Sequence, residues 1–486
     1  MQNPLCECEK NMWQKHFIWC FAYLLIYLII NSYLIGRTGL HQDEVLDWQG
    51  SATDTYEAAG RWGLYFWRIV MGPGAFPVTA GVIAGVFIVV AVHVQTILLS
   101  IQSNLSRFLY AGIYLSCTQW ASQLIYSFQS DAVAFGVLCA TFSVLLLQRG
   151  RYCSAVIALV AALSFYQTLG IYFYVLLVCV ELCREGFHCR RGVIYGCVII
   201  SSLLLYALIT LLNKQSFLIS EETAVYVRLV QESMNQWGTF ANIDLIDKLI
   251  FVAHYTKITI YNALGIGNEG HFVYTTALIP LGFLLWRQFR SHTAAVASVR
   301  VFLLLSVWIA PFILTIIMGV EQGQRVALAE PLALACLWNL ALKAWTLDLP
   351  KRLFLVGCVC FALLKAAYSV SSSARSFAYE YQHAVHELRE MYFSACTLAR
   401  EKGISDCPVI VFGIPQNSQY KHGCVSPALF RTGCLNWYAS HYRMHLLRAG
   451  NAADMKRHAA EYHSMPVWPA PGSMKMSNGE VIIRVH

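Results

Sequence analysis

The chain has 486 residues, of which 57% are hydrophobic and only 13% are charged. Soluble globular proteins carry about a quarter charged residues, so this composition excludes an ordinary soluble protein. The formal net charge of +8 is spread over the ends of apolar runs. That pattern is typical of membrane topology signals and does not indicate a nucleic-acid partner. Apolar runs of about 18 residues or more recur along the chain and predict a polytopic α-helical membrane protein in contact with the lipid bilayer.

The first predicted span covers residues 17–35 and follows two lysines, so the positive-inside rule predicts a cytoplasmic N-terminus. The apolar stretch 154–183 is too short for two full crossings and too long for one. It predicts two short tilted helices or a re-entrant hairpin that turns near Tyr166. The total is about nine to eleven spans, which leaves the C-terminus outside. Further spans are predicted at 78–100, 107–126, 132–148, 193–213, 272–288, 301–319, 326–344 and 353–371.

Two domains are predicted, a transmembrane domain over residues 1–372 and a small periplasmic α/β domain over 373–486, where the composition becomes that of a soluble protein. The first domain has external loops at 37–77 and 214–271. The 37–77 loop includes an amphipathic segment at 53–70. The predicted elements of the second domain are helices over 376–402 and 452–463 and strands over 408–413 and 480–485. Its four cysteines predict one or two disulfides among Cys396, Cys407, Cys424 and Cys434.

Asp43 and Glu44 are adjacent and lie a few residues past the first predicted span. Charge at a membrane boundary is costly unless it has a function, so the pair is a candidate catalytic site. One carboxylate suits a general base on an acceptor hydroxyl. Alternatively, the pair binds a divalent cation that neutralises a leaving phosphate, or it only solvates the helix end.

Cationic and amide side chains near the outer ends of spans are candidates for binding a phosphorylated sugar. Gln324 and Arg325 precede a predicted span, where they suit a lipid-linked phosphate and its sugar. The alternative for Arg325 is an interfacial arginine paired with Glu321 or Glu330. Arg61 is a second phosphate candidate, or it stacks on the neighbouring tryptophan.

Other polar residues at span ends have two interpretations each. Tyr166 and Gln167, at the tip of the predicted hairpin, suit sugar hydroxyls or else a contact between helices. Asp131 contacts a substrate or caps the helix that follows it. The dipeptide Glu330-Pro331 lies inside a predicted span and favours a broken helix that lines a cavity.

In the predicted C-terminal domain, Phe412, Cys434 and Lys475 are candidates for an acceptor groove. The alternative interpretations are a core position for Phe412 and a disulfide or buried thiol for Cys434. The sequence contains no HExxH, P-loop or GxSxG pattern. We therefore predict no zinc site, no nucleotide site and no acyl-serine mechanism.

The order of these motifs along nearly the whole chain resembles the serotype-converting O-antigen glucosyltransferases of the Gtr type II family, which temperate bacteriophages often carry. The resemblance implies a GT-C-like fold in the bacterial inner membrane. The motifs that carry it are Asp43-Glu44, Gly60-Arg61, Gln129-Ser130-Asp131, Ser164-Phe165-Tyr166-Gln167, Gly323-Gln324-Arg325 and the external C-terminal domain.

The resemblance also implies an activity. Such enzymes take glucose from undecaprenyl phosphate-glucose on the periplasmic side and attach it to a sugar, typically rhamnose, of the lipid-linked O-antigen. Their usual partners are a flippase and a cytoplasmic glycosyltransferase that makes the donor. Asp43 and Glu44 occupy the positions of the acidic residues that act as base or metal ligand in the first external loop. The expected transfer inverts a β-linked donor into an α-glucoside.

Two other functions fit the composition. An O-antigen polymerase is also polytopic with large external loops. A non-enzymatic lipid-linked sugar flippase would place charges through the middle of its spans, whereas the spans predicted here hold few.

Overall fold

The computed structural model describes residues 4–35, 60–71, 77–184, 189–216, 245–264, 269–318, 326–344, 349–404, 407–412, 435, 444 and 446–485. The chain forms two compact units. The first holds the described residues up to Ser371, and the second holds those from Ser372 onward. The first unit is helical, and the second contains the only sheet found among these residues.

The helices of the first unit, with one that continues into the second, are as follows in chain order. They are α1 (Pro4–Ile35), α2 (Trp62–Met71), α3 (Pro77–Leu98), α4 (Asn104–Leu115), α5 (Thr118–Leu124), α6 (Ser127–Gln148), α7 (Tyr152–Phe165), α8 (Leu169–Leu182), α9 (Cys189–Ser216), α10 (Leu245–Ala263), α11 (Leu278–Ser291), α12 (Ala294–Ile309), α13 (Ile313–Met318), α14 (Ala329–Ala344) and α15 (Leu349–Glu401). Short 3₁₀ helices cover Glu269–Ala277 and Ala310–Phe312.

Five of these helices are long and apolar enough to cross a bilayer, and they confirm a polytopic helical membrane protein. Lipid-facing side chains need no protein partner, and α9 accordingly leaves Leu204 and Leu211 more than half exposed. The exact number of spans stays a prediction. The five segments are Gln14–Ser32, Val78–Leu98, Gln129–Gln148, Arg190–Asn213 and Ala294–Ile317, and shorter apolar helices cover Tyr152–Phe165, Leu169–Leu182 and Val356–Ser372.

Side-chain contacts define an arginine-rich end of the first unit. Tyr195, near the start of α9, donates to Glu181 near the end of α8 and lies 3.4 Å from Gln148 at the end of α6. Arg300 in α12 donates to the Leu182 carbonyl at the end of α8. Helices α6 and α8 therefore end where α9 and α12 begin, and the basic residues near these helix ends lie at the same end of the unit.

Residues 154–183 form two short helices joined by a turn at Tyr166–Thr168, an arrangement that fits both alternatives predicted for this stretch. Helix α7 starts directly after α6 at the arginine-rich end, and α8 returns there. Each helix has 14 residues, which span about 21 Å and are shorter than the hydrocarbon core of about 30 Å. The backbone N–H of Leu169 donates to the Tyr166 carbonyl and closes the turn.

A hydrogen-bonded network of buried side chains holds the interior of the first unit together. Tyr110 of α4 donates to Oε1 of Gln95 in α3 at 2.8 Å, and Nε2 of Gln95 donates to the Tyr172 hydroxyl of α8. Tyr114 bonds the same hydroxyl at 2.7 Å. Because buried polar groups are costly without partners, this network fixes the register of α3, α4 and α8.

Three predicted elements differ from the structure. The span predicted at 107–126 is two helices, because Cys117 is extended and interrupts the helix. The loop predicted at 214–271 contains the 19-residue helix α10, whose Phe251 and Thr259 are buried. The last span was predicted to end at its serines near Ser371, yet α15 continues to Glu401, where Gly403 with φ of 74° terminates it.

The second unit contains a four-stranded sheet in the order β2-β1-β4-β3. Strands β1 and β2 are parallel, β1 and β4 are parallel, and β3 and β4 form an antiparallel hairpin. The predicted strands over 408–413 and 480–485 correspond to β1 and β4, and the predicted helix over 452–463 is two short helices. The elements are β1 (Val409–Phe412), β2 (Leu447–Ala449), α16 (Ala452–Arg457), α17 (Ala459–Ser464), β3 (Met474–Ser477) and β4 (Glu480–Arg484).

The thiols of Cys396 and Cys407 are free, so no disulfide joins these two cysteines. Burial raises the pKa of the Cys407 thiol, which lies 3.2 Å from the Gly479 carbonyl. The disulfide prediction for Cys424 and Cys434 falls outside the described residues.

An ion pair between Arg448 of β2 and Asp454 of α16 holds these two elements together. Asp454 accepts bonds from Nη1 and Nη2 of Arg448 at 2.5 and 3.0 Å, and it forms a capping box with Asn451. Hydrogen bonds from Arg448 lower the pKa of Asp454 to about 2. A lowered pKa means that the carboxylate stabilises the fold above its ordinary pKa near 4, and that this contribution is lost only as the pH falls through about 2.

We therefore expect Asp454→Asn to loosen the start of α16 by about 1 kcal/mol, the usual cost of a lost cap. The measurement is hydrogen exchange of peptides from residues 447–457 in the full-length protein. The difference from wild type should stay constant between pH 5 and pH 8, because Asp454 is ionised throughout. Glu461→Gln is the control, since Glu461 forms no ion pair with the residues described. A difference that shrinks between pH 8 and pH 5 would contradict the assignment.

Candidate functional site

The polar end of the first unit lies opposite the arginine-rich end. It comprises the start of α6 with Asp131, the α7–α8 turn with Tyr166, α5 with Gln119, the start of α14 with Glu330, and helix α2. Helix α2 belongs to this end because Arg68 pairs with Asp131. Four of the residues predicted to bind donor phosphate or sugar, Arg61, Tyr166, Gln167 and Asp131, therefore lie at one end of the bundle.

Arg61, directly before α2, places its guanidinium over the ring of Tyr166, with 4.6 Å between Cζ and the ring centroid. This cation–π contact replaces the predicted stacking on the adjacent tryptophan. The Nε atom of Arg61 is buried and has no hydrogen-bond partner. No carboxylate among the described residues pairs with Arg61, so its positive charge is available to an anionic ligand.

Gln167 and Tyr206 extend this site towards the membrane-facing helix α9. Nε2 of Gln167 donates to the Tyr206 hydroxyl at 3.0 Å, and that hydroxyl donates to the Gly60 carbonyl at 2.9 Å. Gly60 has a φ of 78°, a left-handed conformation that glycine adopts without strain. The turn before α2 is therefore held by α9 and by the hairpin tip together. No sequence motif indicated a role for Tyr206.

Close backbone packing sets the distance between Arg61 and Tyr166. A Cβ atom at Gly63 would lie 2.1 Å from Oγ of Ser164 in the last turn of α7. Only glycine permits this approach of α2 to the hairpin tip. Gly63 lies two residues after Arg61, and Ser164 lies two residues before Tyr166. Their close approach therefore fixes the start of α2 against the end of α7.

Asp131 lies in a buried ion pair with Arg68, and both side chains are almost fully buried. Its Oδ2 also accepts a bond from Trp67 Nε1 at 2.9 Å, and its Oδ1 accepts the backbone N–H of Ala132. Trp67 stacks on Phe135 with ring centroids 5.0 Å apart. These contacts favour a role for Asp131 in positioning α2, and its contact with substrate stays a prediction.

Sequence reasoning did not single out Arg68. The available signal was an arginine inside the apolar run of α2, a position that demands a partner in a membrane protein. Its Nε and Nη1 atoms are buried without partners.

A second buried carboxylate lies at the same end. Nε2 of Gln119 in α5 donates to Glu330 at 2.5 Å, and Glu330 is 1% exposed. Glu330 and Pro331 occupy the first turn of α14, where an acidic side chain and a missing N–H are both favourable. The dipeptide therefore begins a helix and does not break one. Both amide atoms of nearby Gln123 are buried without partners.

The remaining predicted site residues are placed as follows. Phe412 is 2% exposed and packs in the core of the second unit against Tyr462, so it offers no surface to a groove. Lys475 donates to Ser464 Oγ at 3.1 Å on the same unit. Asp43, Glu44, Gln324, Arg325 and Cys434 lie outside the described residues.

The chemistry of the polar end is that of an anion and hydroxyl site. A guanidinium suits a phosphate, and amide and phenol groups suit sugar hydroxyls. Within the ranges that the structure describes, no three His, Cys, Asp or Glu residues lie close enough to hold a metal ion. The predicted cation site at Asp43 and Glu44 is not part of those ranges.

The chain shows no significant similarity to a curated protein, and none to a protein of solved structure. Residues 40–336 match the family described as Glucosyl transferase GtrII. The matched segment covers more than half of the chain and contains the whole polar end described above. It also contains the acidic pair and Arg325. The chain therefore belongs to the GtrII family of glucosyl transferases and is a glycosyltransferase of the membrane.

Proposed function

We propose that the protein transfers glucose from undecaprenyl phosphate-glucose to a sugar, typically rhamnose, of a lipid-linked O-antigen, and so causes serotype conversion. The reaction takes place at the periplasmic face of the bacterial inner membrane, with the N-terminus in the cytoplasm and residues 373–486 in the periplasm. A flippase and a donor-synthesising glycosyltransferase supply the glucosyl lipid. The family membership and the apolar helices support a membrane glucosyl transferase. The donor and acceptor follow from the motif resemblance.

The proposed transfer is a single displacement at the anomeric carbon. The acceptor hydroxyl gives its proton to Asp43 or Glu44, or is positioned by them, and its oxygen forms the new bond. The bond from the anomeric carbon to the phosphate oxygen breaks on the opposite face, so a β-linked donor yields an α-glucoside. The phosphate leaves with the electron pair, and Arg325 and Arg61 stabilise its charge.

The observation that carries this proposal is the placement of Arg61 on the face of Tyr166. A phosphate at the membrane boundary needs a cation that no protein carboxylate already neutralises, and Arg61 meets that requirement within the described residues. Gln167 and Tyr206 lie next to it with groups that hydrogen-bond hydroxyls. Gln324 joins this set in the proposal, and the domain that contains Cys434 and Lys475 is proposed to select the acceptor.

Removal of the guanidinium should slow the transfer. We expect Arg61→Ala to reduce glucosylation by about 100-fold, because a charged donor to a leaving phosphate is lost. Arg61→Lys should retain part of the activity, since it keeps the charge but not the planar contact with Tyr166. The measurement is the initial rate of glucose transfer to lipid-linked O-antigen in membranes that contain equal amounts of each variant.

The matched control is Arg107→Ala, which removes an arginine that stacks on Trp19 at 5.5 Å, outside the polar end. It should leave the rate near that of wild type. Equal rates for Arg61→Ala and wild type would remove Arg61 from the donor site.

Glycan analysis of lipopolysaccharide from cells with and without the chain tests the whole proposal. The expected result is one added α-glucose per O-antigen repeat, with an unchanged distribution of the number of repeats per chain on electrophoresis. A changed chain length without added glucose would indicate a polymerase. Reconstituted protein that moves the glucosyl lipid across the bilayer but transfers no glucose would indicate a flippase.

A further inference from the structure

Three cationic side chains from three helices converge at the arginine-rich end. Arg287 of α11 donates to the Ala344 carbonyl at the end of α14. Arg300 of α12 donates to the Leu182 carbonyl at 2.9 Å. Lys343 lies in the last turn of α14. Arg300 lies close enough to Arg287 for their charges to interact. Cys183, directly after α8, is close to both Arg300 and Lys343. The three cations therefore lie around the end of α8.

The carboxylates described at this end of the bundle do not pair with these three cations. Glu181, the carboxylate beside Leu182, already accepts bonds from Arg184 at 2.8 Å and Tyr195 at 2.6 Å. No Asp or Glu in the described part of the chain pairs with Arg287, Arg300 or Lys343. Within the described ranges, the carbonyl ends of α8 and α14 offset about half a charge each, which leaves about two of the three positive charges.

Two hydrogen-bond donors at this end also lack an acceptor. Nε of Arg300 is buried without a partner. Asn339 lies one helical turn before Lys343, is 5% exposed, and has a buried Nδ2 without a partner. Buried donors without acceptors are costly, and a phosphate oxygen satisfies both the donors and the charge.

The surroundings of the three cations are those of a lipid and not of a soluble anion. Trp286 and Phe289 of α11 are 53% and 69% exposed, and Phe302 of α12 is 67% exposed. Aromatic side chains at this position lie at the level of lipid headgroups. Acyl chains next to them would follow the exposed apolar faces of α11 and α12.

We propose that Arg287, Arg300 and Lys343 form a binding site for the headgroup phosphate of an anionic phospholipid, at the end of the bundle opposite the proposed transfer site. Basic clusters between transmembrane helices bind such headgroups. The site is independent of the glucosyl transfer proposed above. Occupation of the site would satisfy the buried donors and tie α11, α12 and α14 together.

The test uses the full-length protein in nanodiscs of phosphatidylcholine with increasing phosphatidylglycerol. Native mass spectrometry counts the retained lipids, and the thermal unfolding temperature reports their effect on stability. We expect wild type to retain phosphatidylglycerol and to unfold at a higher temperature with it. Lys343→Gln should bind it about five-fold more weakly, since one cation near a lipid headgroup contributes about 1 kcal/mol. Lys343 is exposed, so its replacement should not disturb the packing. The hydrogen bonds from Arg287 and Arg300 to the helix-end carbonyls stay intact in this variant.

Arg151→Gln is the matched control, because it removes the same single positive charge. Arg151 is exposed and lies at the same end, in the α6–α7 turn. It should bind phosphatidylglycerol as wild type does. An equal loss in both variants would show a diffuse surface potential and overturn the site. Equal stabilisation by inorganic phosphate would overturn the lipid assignment. So would wild-type protein that retains no phosphatidylglycerol and unfolds at the same temperature with and without it.

Discussion

Replacement of both Asp43 and Glu44 by alanine should abolish O-antigen glucosylation while the protein remains in the membrane. Loss of a general base alone costs about 100-fold or more, and loss of a cation site would cost at least as much. The measurement is the fraction of O-antigen repeats that carry glucose, determined by mass spectrometry, with the amount of protein in the membrane quantified in parallel. The single variants Asp43→Ala and Glu44→Ala then show which carboxylate is essential.

Asp47→Ala combined with Asp54→Ala is the matched control, because it removes the same charge from the same predicted loop. We expect full activity in this variant. Full activity in the Asp43/Glu44 double variant would remove the proposed catalytic site. Restoration of a partly active single variant by added divalent cation would favour the metal-binding role over the base role.

Asp131→Ala should destabilise the first unit by about 3–5 kcal/mol, the usual cost of leaving one partner of a buried ion pair. The reason is that Arg68 is 1% exposed and would lose its only carboxylate partner among the residues that the structure describes, while Trp67 Nε1 would also lose its acceptor. The expected results are a lower thermal unfolding temperature of the purified protein and less protein in the membrane.

A charge-neutral double variant separates stability from substrate contact. Replacement of a buried ion pair by apolar residues of similar size is often close to neutral, so Arg68→Met with Asp131→Leu should recover most of the unfolding temperature. If Asp131 only positions α2, the double variant should also recover much of the glucosylation. A stable double variant without activity would show instead that Asp131 contacts the substrate.

The sequence was informative where hydrophobic length and local breakers decide the structure. The span now seen at Gln129–Gln148 and the hairpin break at Tyr166–Thr168 follow from apolar runs and a polar interruption. Strands β1 and β4 follow from short β-branched runs next to turn signals. These signals are local, so a single sequence contains them.

Local signals failed where a helix could continue or stop at little cost. Serines near Ser371 are compatible with a helix, and no glycine or proline stops α15 between Arg375 and Glu401. The break at Cys117 has the opposite cause. No breaker lies there in the sequence, and the interruption allows α5 to place Gln119 against Glu330, more than 200 residues away in the chain.

By itself, the sequence determined the membrane class, the small α/β unit at the C-terminus and the identity of the candidate phosphate and sugar ligands. Only the tertiary structure decided which of them meet. In the structure, Arg61 stacks on Tyr166, Asp131 forms an ion pair with Arg68, and Phe412 lies in the core of the second unit. Hydropathy depends on the residues of one segment, whereas a buried charge takes whichever partner the packing of distant helices brings within reach.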